Sequence, residues 1–138
     1  MLMHPYLDLP YNPQIKHFLG GFDIYDREES LGAELSEYDP ECPSDRAVLI
    51  YKFVVGRFSG LSYRHKFVLL SVLDKALAED ASLLFEAFKH DPFSHTLLPY
   101  GWNELKDPRD FFEHVYLILS EIWADELDLA GQEDYTNW

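Results

Sequence analysis

Six histidines, 25 Asp and Glu residues and one cysteine supply the side chains that could do chemistry. Two carboxylate–imidazole pairs stand four residues apart, Glu86 with His90 and Asp110 with His114. On a helix that spacing puts both members of a pair on one face. A carboxylate-bridged di-iron bundle uses Glu-x-x-His with further glutamates on other helices, and that spacing is absent. The expectation is therefore helix-surface pairs, with no metal and no cofactor. His90 and His95 flank Asp91 and Pro92 in a run without a glycine cradle, and His65 falls near a helix start as a boundary residue. Cys42 lies among carboxylates, which disfavour a thiolate and make it a poor nucleophile. As the only cysteine it excludes an intrachain disulfide and a Cys-rich zinc site. No nucleophile elbow, phosphate loop, zinc-protease motif or dinucleotide fingerprint occurs. Paired carboxylates are too common here to mark general acid–base work. The chain is expected not to be an enzyme. An enzymatic reading would require His65, His90, His95 or His114 to converge with carboxylates in a pocket.

The acids matter more as a surface. The net charge is −14 over 138 residues. A nucleic-acid partner held through its phosphates needs a basic footprint, and an anionic lipid surface needs the same, so neither is expected. A basic protein partner is expected instead, captured quickly and in a salt-sensitive way. The charge is uneven. Phe22 to Asp45 holds nine acids against Arg27 alone, and Glu113 to Asp134 holds seven acids and no Lys or Arg. Between them, Arg46, Lys52, Arg57, Arg64, Lys66 and Lys75 face only Asp74. Either these elements complement one another inside the fold as ion pairs of small energy, or the two acidic stretches share an exposed surface. Candidate partner-binding residues are Asp23, Tyr25, Asp26, Glu28, Glu29, Glu34, Glu37, Tyr38, Asp39 and Glu41, with Glu121, Asp125 and Asp128 on the second stretch. Tyr100 and Trp102 are candidate aromatic anchors, since hot spots pair large aromatics with a polar rim; the alternative is that both plug the edge of a core.

The elements that must position these residues read as helices. With 47% hydrophobic and 16% aromatic residues the chain can build a core, and its length suits a single domain. Asp107 is an N-cap, Pro108 fits the first helical position, and apolar residues from Phe111 to Leu127 follow a 3.6-residue period, so one helix is expected from Asp107 to Leu129, stopped by Gly131. Its outer face gathers Asp110, Glu113, Glu121, Asp125 and Asp128. A second helix, apolar around most of its circumference and so central, is expected from Ser62, its N-cap, to about Ala78. Short helices are expected at Gln14–Leu19, ended by Gly20 and Gly21, at Glu28–Tyr38 with Leu31 and Leu35 as anchors, and from Asp80 or Ser82 to Asp91-Pro92. Asp45–Val55, after Ser44 as N-cap, is too apolar for periodicity to decide. A helix is expected there because no partner strand is evident. Gly56 and Gly60 bracket a turn. The whole is expected to be a mainly α, single-domain helical bundle, with an extended arm over residues 1–13, whose Leu2, Tyr6, Leu7 and Tyr11 are free to pack, and a polar tail over 132–138. Met1 to Pro13 lacks a basic region and an apolar core, so no signal peptide is expected, and no apolar run reaches membrane-span length. A cytoplasmic setting follows as the expectation.

The run Pro13-Gln14-Ile15-Lys16-His17-Phe18-Leu19-Gly20-Gly21-Phe22-Asp23-Ile24-Tyr25-Asp26 resembles the opening of small, acidic, helical immunity proteins of bacterial contact-dependent growth inhibition systems. In those, a short helix ends in glycine before an aromatic and an aspartate. The turn Tyr100-Gly101-Trp102, leading to Phe111-Phe112 on a last helix, is also similar. The chain departs from the pattern at Phe22-Asp23-Ile24, where a more polar, His-containing turn is the rule. The resemblance implies a cytoplasmic protein that binds and blocks one cognate toxin domain, often a basic nuclease, with no catalysis of its own. Two other readings stand beside it: a regulatory or adaptor domain taking a helix or peptide in an apolar groove, and a nucleic-acid mimic that inhibits a DNA-binding machine.

Overall fold

The fold is drawn from a computed structural model that describes residues 1–79, 81–89, 93 and 95–138. Among these residues the architecture is helical, and the only β feature is one antiparallel bridge between Met3 and Pro10. The α-helices are α1 (Ala33–Leu35), α2 (Pro43–Ile50), α3 (Gly56–Phe58), α4 (Tyr63–Glu79), α5 (Ser82–Glu86), α6 (Pro108–Ile122) and α7 (Ala124–Gly131). A 3-10 helix at Ile15–Phe22, π-turns at Glu28–Gly32 and Tyr51–Val55, and single 3-10 turns at Trp102–Glu104 and Tyr135–Asn137 complete the frame. The mainly α bundle expected from the sequence is what forms. No helix among the described residues is long and apolar enough to cross a membrane.

α4 and α6 form the centre. α4 packs on α5, α6, α7 and the 3-10 helix, and α6 packs on α2, α4, α5 and α7. The N-terminus of α6 is built as its sequence requires: Asp107 accepts the N–H of Asp110 and Pro108 opens the helix. The long helix expected to Leu129 is instead two. Trp123 takes φ −94° and ψ 13°, a bridge conformation, and α7 restarts at Ala124. The indole is buried, and the ammonium of buried Lys66 lies 5.5 Å from its ring centre while bonding both oxygens of Glu126 at 2.8 and 2.9 Å. The bend satisfies that cation. It also turns Asp125 and Glu126 into first-turn acids of a new helix, where the dipole favours them. Ile122, expected on the buried face, is left half-exposed.

Asp45–Val55 is helical, as expected, but starts earlier. Cys42, not Ser44, is the N-cap and Pro43 takes the first position, where its missing N–H costs nothing. The run then widens through the π-turn, where the Gly56 N–H donates to the Tyr51 carbonyl, and continues through α3. Gly56 is therefore helical, not a turn residue. The short helix at residue 15 runs on through Gly20 and Gly21 to Phe22, past the expected stop. Gly21 is there for proximity: a Cβ would stand 2.3 Å from the Phe53 carbonyl oxygen. Close approach lets Phe22 reach the aromatic centre, 4.8 Å from Trp102 and 6.1 Å from Phe111.

The arm folds back on itself. His4 donates its N–H to Leu9, and Tyr11 donates to Leu2. Tyr11 packs edge-on against His65 at 4.9 Å, while Tyr6 and Leu7 stay in solvent. Burial pushes the Tyr11 phenol up to about 12. The tail is less loose than its polarity suggests: Glu133 accepts from Tyr63 and Arg64, and Trp138 sits against Arg64 and Phe67. α5 starts at Ser82 and ends at Glu86, short of the expected reach through Phe88; Asp80, the alternative start, and Asp91-Pro92, the expected stop, fall outside the described residues.

Candidate functional site

The acidic segment is held by its own carboxylates. Asp23 Oδ1 accepts the N–H groups of Tyr25 (3.0 Å) and Leu97 (2.9 Å), and the Ile24 N–H donates to the Leu97 carbonyl at 2.7 Å. Asp26 sits at φ 59°, a left-handed residue that turns the chain into the first π-turn. Arg27, the only base here, donates to the Asp23 carbonyl and is thereby spent on the backbone. Leu35 is fully buried and Leu31 packs beside the core, so the expected anchor pair holds the segment down. Asp39 Oδ1 accepts the Glu41 N–H, Asp45 accepts the Asp39 N–H, and Glu41 accepts the Lys106 N–H at 2.8 Å.

This folding opens a cleft of about 540 Å³ between the segment and the loop around Gly101. Glu28, Tyr38, Asp39, Glu41 and Tyr100 line it over an apolar floor that includes Ile24, Leu35 and Trp102. Gly101, at φ 85°, makes the turn that thrusts Tyr100 outward, wholly exposed. Trp102 points the other way and is 2% exposed. It serves the core against Phe22 and Phe111, and this corrects its place as a surface anchor: its ring completes the aromatic cluster. Tyr25 is half-exposed and stacks edge-on with His95. Asp26, Glu28, Glu29 and Glu37 are exposed, and their carboxylates have no hydrogen-bond or ion-pair partner among the described residues.

The second set lies elsewhere. Glu41 meets Lys106, and buried Arg46 joins Asp110 and His114, so the acidic segment sits at the N-terminal end of α6. Glu121 is at the other end of α6, with Asp125 and Asp128 beyond it on α7. The helix between is roughly 22 Å long at 1.5 Å per residue. All three carboxylates are exposed, and none lines the cleft.

Most of the central bases complement these acids internally. Arg46 pairs with Asp110 (3.1 Å), Arg64 with Glu133 (2.9 Å), Lys66 with Glu126 (2.8 Å) and Lys52 with Glu34 (3.8 Å). Arg46 is the residue that sequence reasoning undervalued. Its Nε donates to His114 Nδ1 at 2.9 Å and its Nη1 to the Pro40 carbonyl at 3.4 Å, tying the acidic segment, α2 and α6 together. An arginine entering an apolar run was the available signal. Burial, then the Arg46 charge, lowers the His114 pKa, with Asp110 opposing. The Asp110–His114 pair is thus a shared arginine site, and His90, the partner expected for Glu86, is outside the described residues. Cys42 is also corrected: hydrogen bonds from Ser44 and from the Asp45 backbone lower its pKa, outweighing the Asp45 charge. Among the described residues no three His, Cys, Asp or Glu side chains are grouped to hold a metal ion. No family model, curated protein or solved structure matches the chain.

Proposed function

We propose that the protein works by binding, with the acidic cleft as the seat of a basic partner protein. In the form the residues favour, it is an immunity protein that occupies a basic toxin domain, such as a nuclease, inside the cytoplasm and without catalysis of its own. The observation that carries this reading is the cleft itself: Glu28, Asp39 and Glu41 stand round a concave apolar floor, with Tyr38 at its wall and Tyr100 exposed at its rim. A partner Lys or Arg entering there meets carboxylates for its charge and tyrosine faces for its stem. Unpaired Asp26, Glu29 and Glu37 add a field that steers a cation inward. A nucleic-acid mimic would use the same surface, since carboxylates stand in for phosphates.

The test is affinity capture from the source cell, at low and then high salt, with the retained protein identified and then titrated in purified form. One basic protein held at low salt and released at high salt is the expected result. A partner retained unchanged in high salt would remove the electrostatic reading and favour an apolar groove.

A further inference from the structure

Bases without ion-pair partners among the described residues meet in a second concavity. A second cleft, of about 1690 Å³, opens between the arm, the 3-10 helix, α3 to α5 and the loop over 96–104. Lys16, His17 and Arg57 are in its lining, with both charges close enough to act on His17. While Arg46, Lys52, Arg64, Lys66 and Arg109 all have ion-pair partners, Lys16 and Arg57, like Lys75, Lys89 and Lys106, have none among the described residues. The Arg57 guanidinium lies on bare backbone: a Cβ at Gly20 would be 2.8 Å from its Nη2 and 3.0 Å from its Cζ. His17 Nδ1 accepts the Gln14 N–H at 3.0 Å, which leaves Nε2 as the donor. Burial and then Lys16, Arg57 and His4 lower the His17 pKa, and no carboxylate acts against them. Three acids line the cleft against Lys16, Arg57 and Lys89: Asp23 already serves the N–H groups of Tyr25 and Leu97, while Glu86 on α5 and Glu104 in the loop over 96–104 lie on other elements than Lys16 and Arg57. The floor is apolar, with Leu61, Val72 and Leu97 only half-buried and Leu83 43% exposed.

We propose that this cleft binds an amphipathic anion, its apolar body on the leucine floor and its anionic head group at Arg57 and Lys16. Small-molecule sites combine an apolar concavity with a few placed polar groups, and the arrangement here has both. The unpaired guanidinium offers a planar pair of N–H donors to a carboxylate, and the lysine adds a mobile charge. The net charge of −14 repels anions from most of the surface, which makes this local cluster the place where one is tolerated.

Decanoate, kept below its micelle-forming concentration, is the probe, and decanol is its neutral counterpart. Calorimetric titration of the full chain should give one saturable decanoate site, with amide shifts concentrated at Lys16–Gly20, Arg57 and Leu97. Arg57→Gln and Lys16→Gln change exposed side chains, and circular dichroism should report both folded. Arg57→Gln should weaken decanoate about tenfold or more, as loss of a charge-assisted contact implies, and leave decanol unchanged. Leu83→Asn should weaken both ligands. The proposal is overturned by no saturable binding, by equal affinity of decanoate and decanol, by shifts that map elsewhere, or by unchanged affinity in both cation variants. Cosedimentation with anionic phospholipid vesicles without binding of monomeric decanoate would also overturn it, in favour of a membrane surface.

Discussion

The acidic segment from Asp23 to Glu41 and the acidic end of α6 and α7 carry the same sign of charge on unlike scaffolds. In the first, the backbone is irregular, and Asp23, Asp39 and Glu41 each accept a backbone N–H while their neighbours stay free. The result is a concave site with tyrosines at its edge. In the second, Glu121, Asp125 and Asp128 project from regular helix, and the acid that does structural work, Glu126, reaches back to Lys66. Charge density is alike in sequence, but only one region has shape. Specific recognition needs both a field and a cavity, so the proposed binding site falls in the first, and the second would contribute field alone.

The largest effect expected in this comparison comes from the base of the first region. Gly21→Ala drives a methyl into the Phe53 carbonyl, and backbone cannot move aside as a flexible side chain does. Overpacking of this kind costs about 3 kcal/mol. Urea unfolding should show it, together with faster amide exchange from Ile24 to Leu35. A loss below about 0.5 kcal/mol would mean that the 3-10 helix is not seated on the π-turn as described. Next comes the direct contrast. Reversing Asp26, Glu28, Glu29 and Glu37 to Lys should weaken capture of a purified basic partner about 100-fold at low salt, whereas reversing Glu121, Asp125 and Asp128 should change it less than about fivefold. Equal losses from the two sets would erase the distinction between shape and field.

A smaller effect tests the second region's own anchor. Glu126→Gln leaves the Lys66 ammonium without its counter-charge, and Lys66 is only 5% exposed. Breaking a buried pair is costly, but the Glu126 side chain is 41% exposed, so water screens part of the loss. The expected cost is about 2 kcal/mol, with fluorescence of Trp123 shifting as the bend relaxes and with partner capture unchanged. Unchanged stability would show that the bend at Trp123 does not depend on this pair.

The helical architecture was legible because it rests on local signals. The Asp107 cap, the Pro108 start and the 3.6-residue stripe through Phe111, Val115 and Leu119 are contained within one element. The break at Trp123 was not legible, because it is set by Lys66, 57 residues earlier in the chain, and periodicity carries no information about a distant cation. The same holds for Gly21. A glycine pair after a short helix reads as a stop, and only the Phe53 carbonyl reveals it as a contact. Of the candidate site residues, composition found the carboxylates but could not tell those that cap backbone from those left free. Nor could it separate Tyr100 from Trp102, two aromatics on either side of one left-handed glycine that sends them in opposite directions.

The smallest effect distinguishes the two regions by proton linkage. Arg46 fastens the acidic segment to α6 through Pro40, Asp110 and His114, and His114 accepts from it as a neutral ring. Its pKa in the folded protein lies below that of a free histidine, by burial and by the Arg46 charge. The unfolded chain therefore takes up this proton first as pH falls, so the unfolded state binds more protons in that window and stability rises with pH. The contribution is complete above about 6.5 and is lost as pH drops through the folded value. His114→Asn keeps an acceptor near the position of Nδ1 and removes the titration. Between pH 7.5 and 5 the wild-type midpoint in urea should fall more steeply than that of the variant, and amide exchange near Pro40 should rise in wild type alone. If the two proteins keep parallel pH profiles, the Arg46 junction does not sense protons and the two acidic regions are fastened by equally pH-indifferent means.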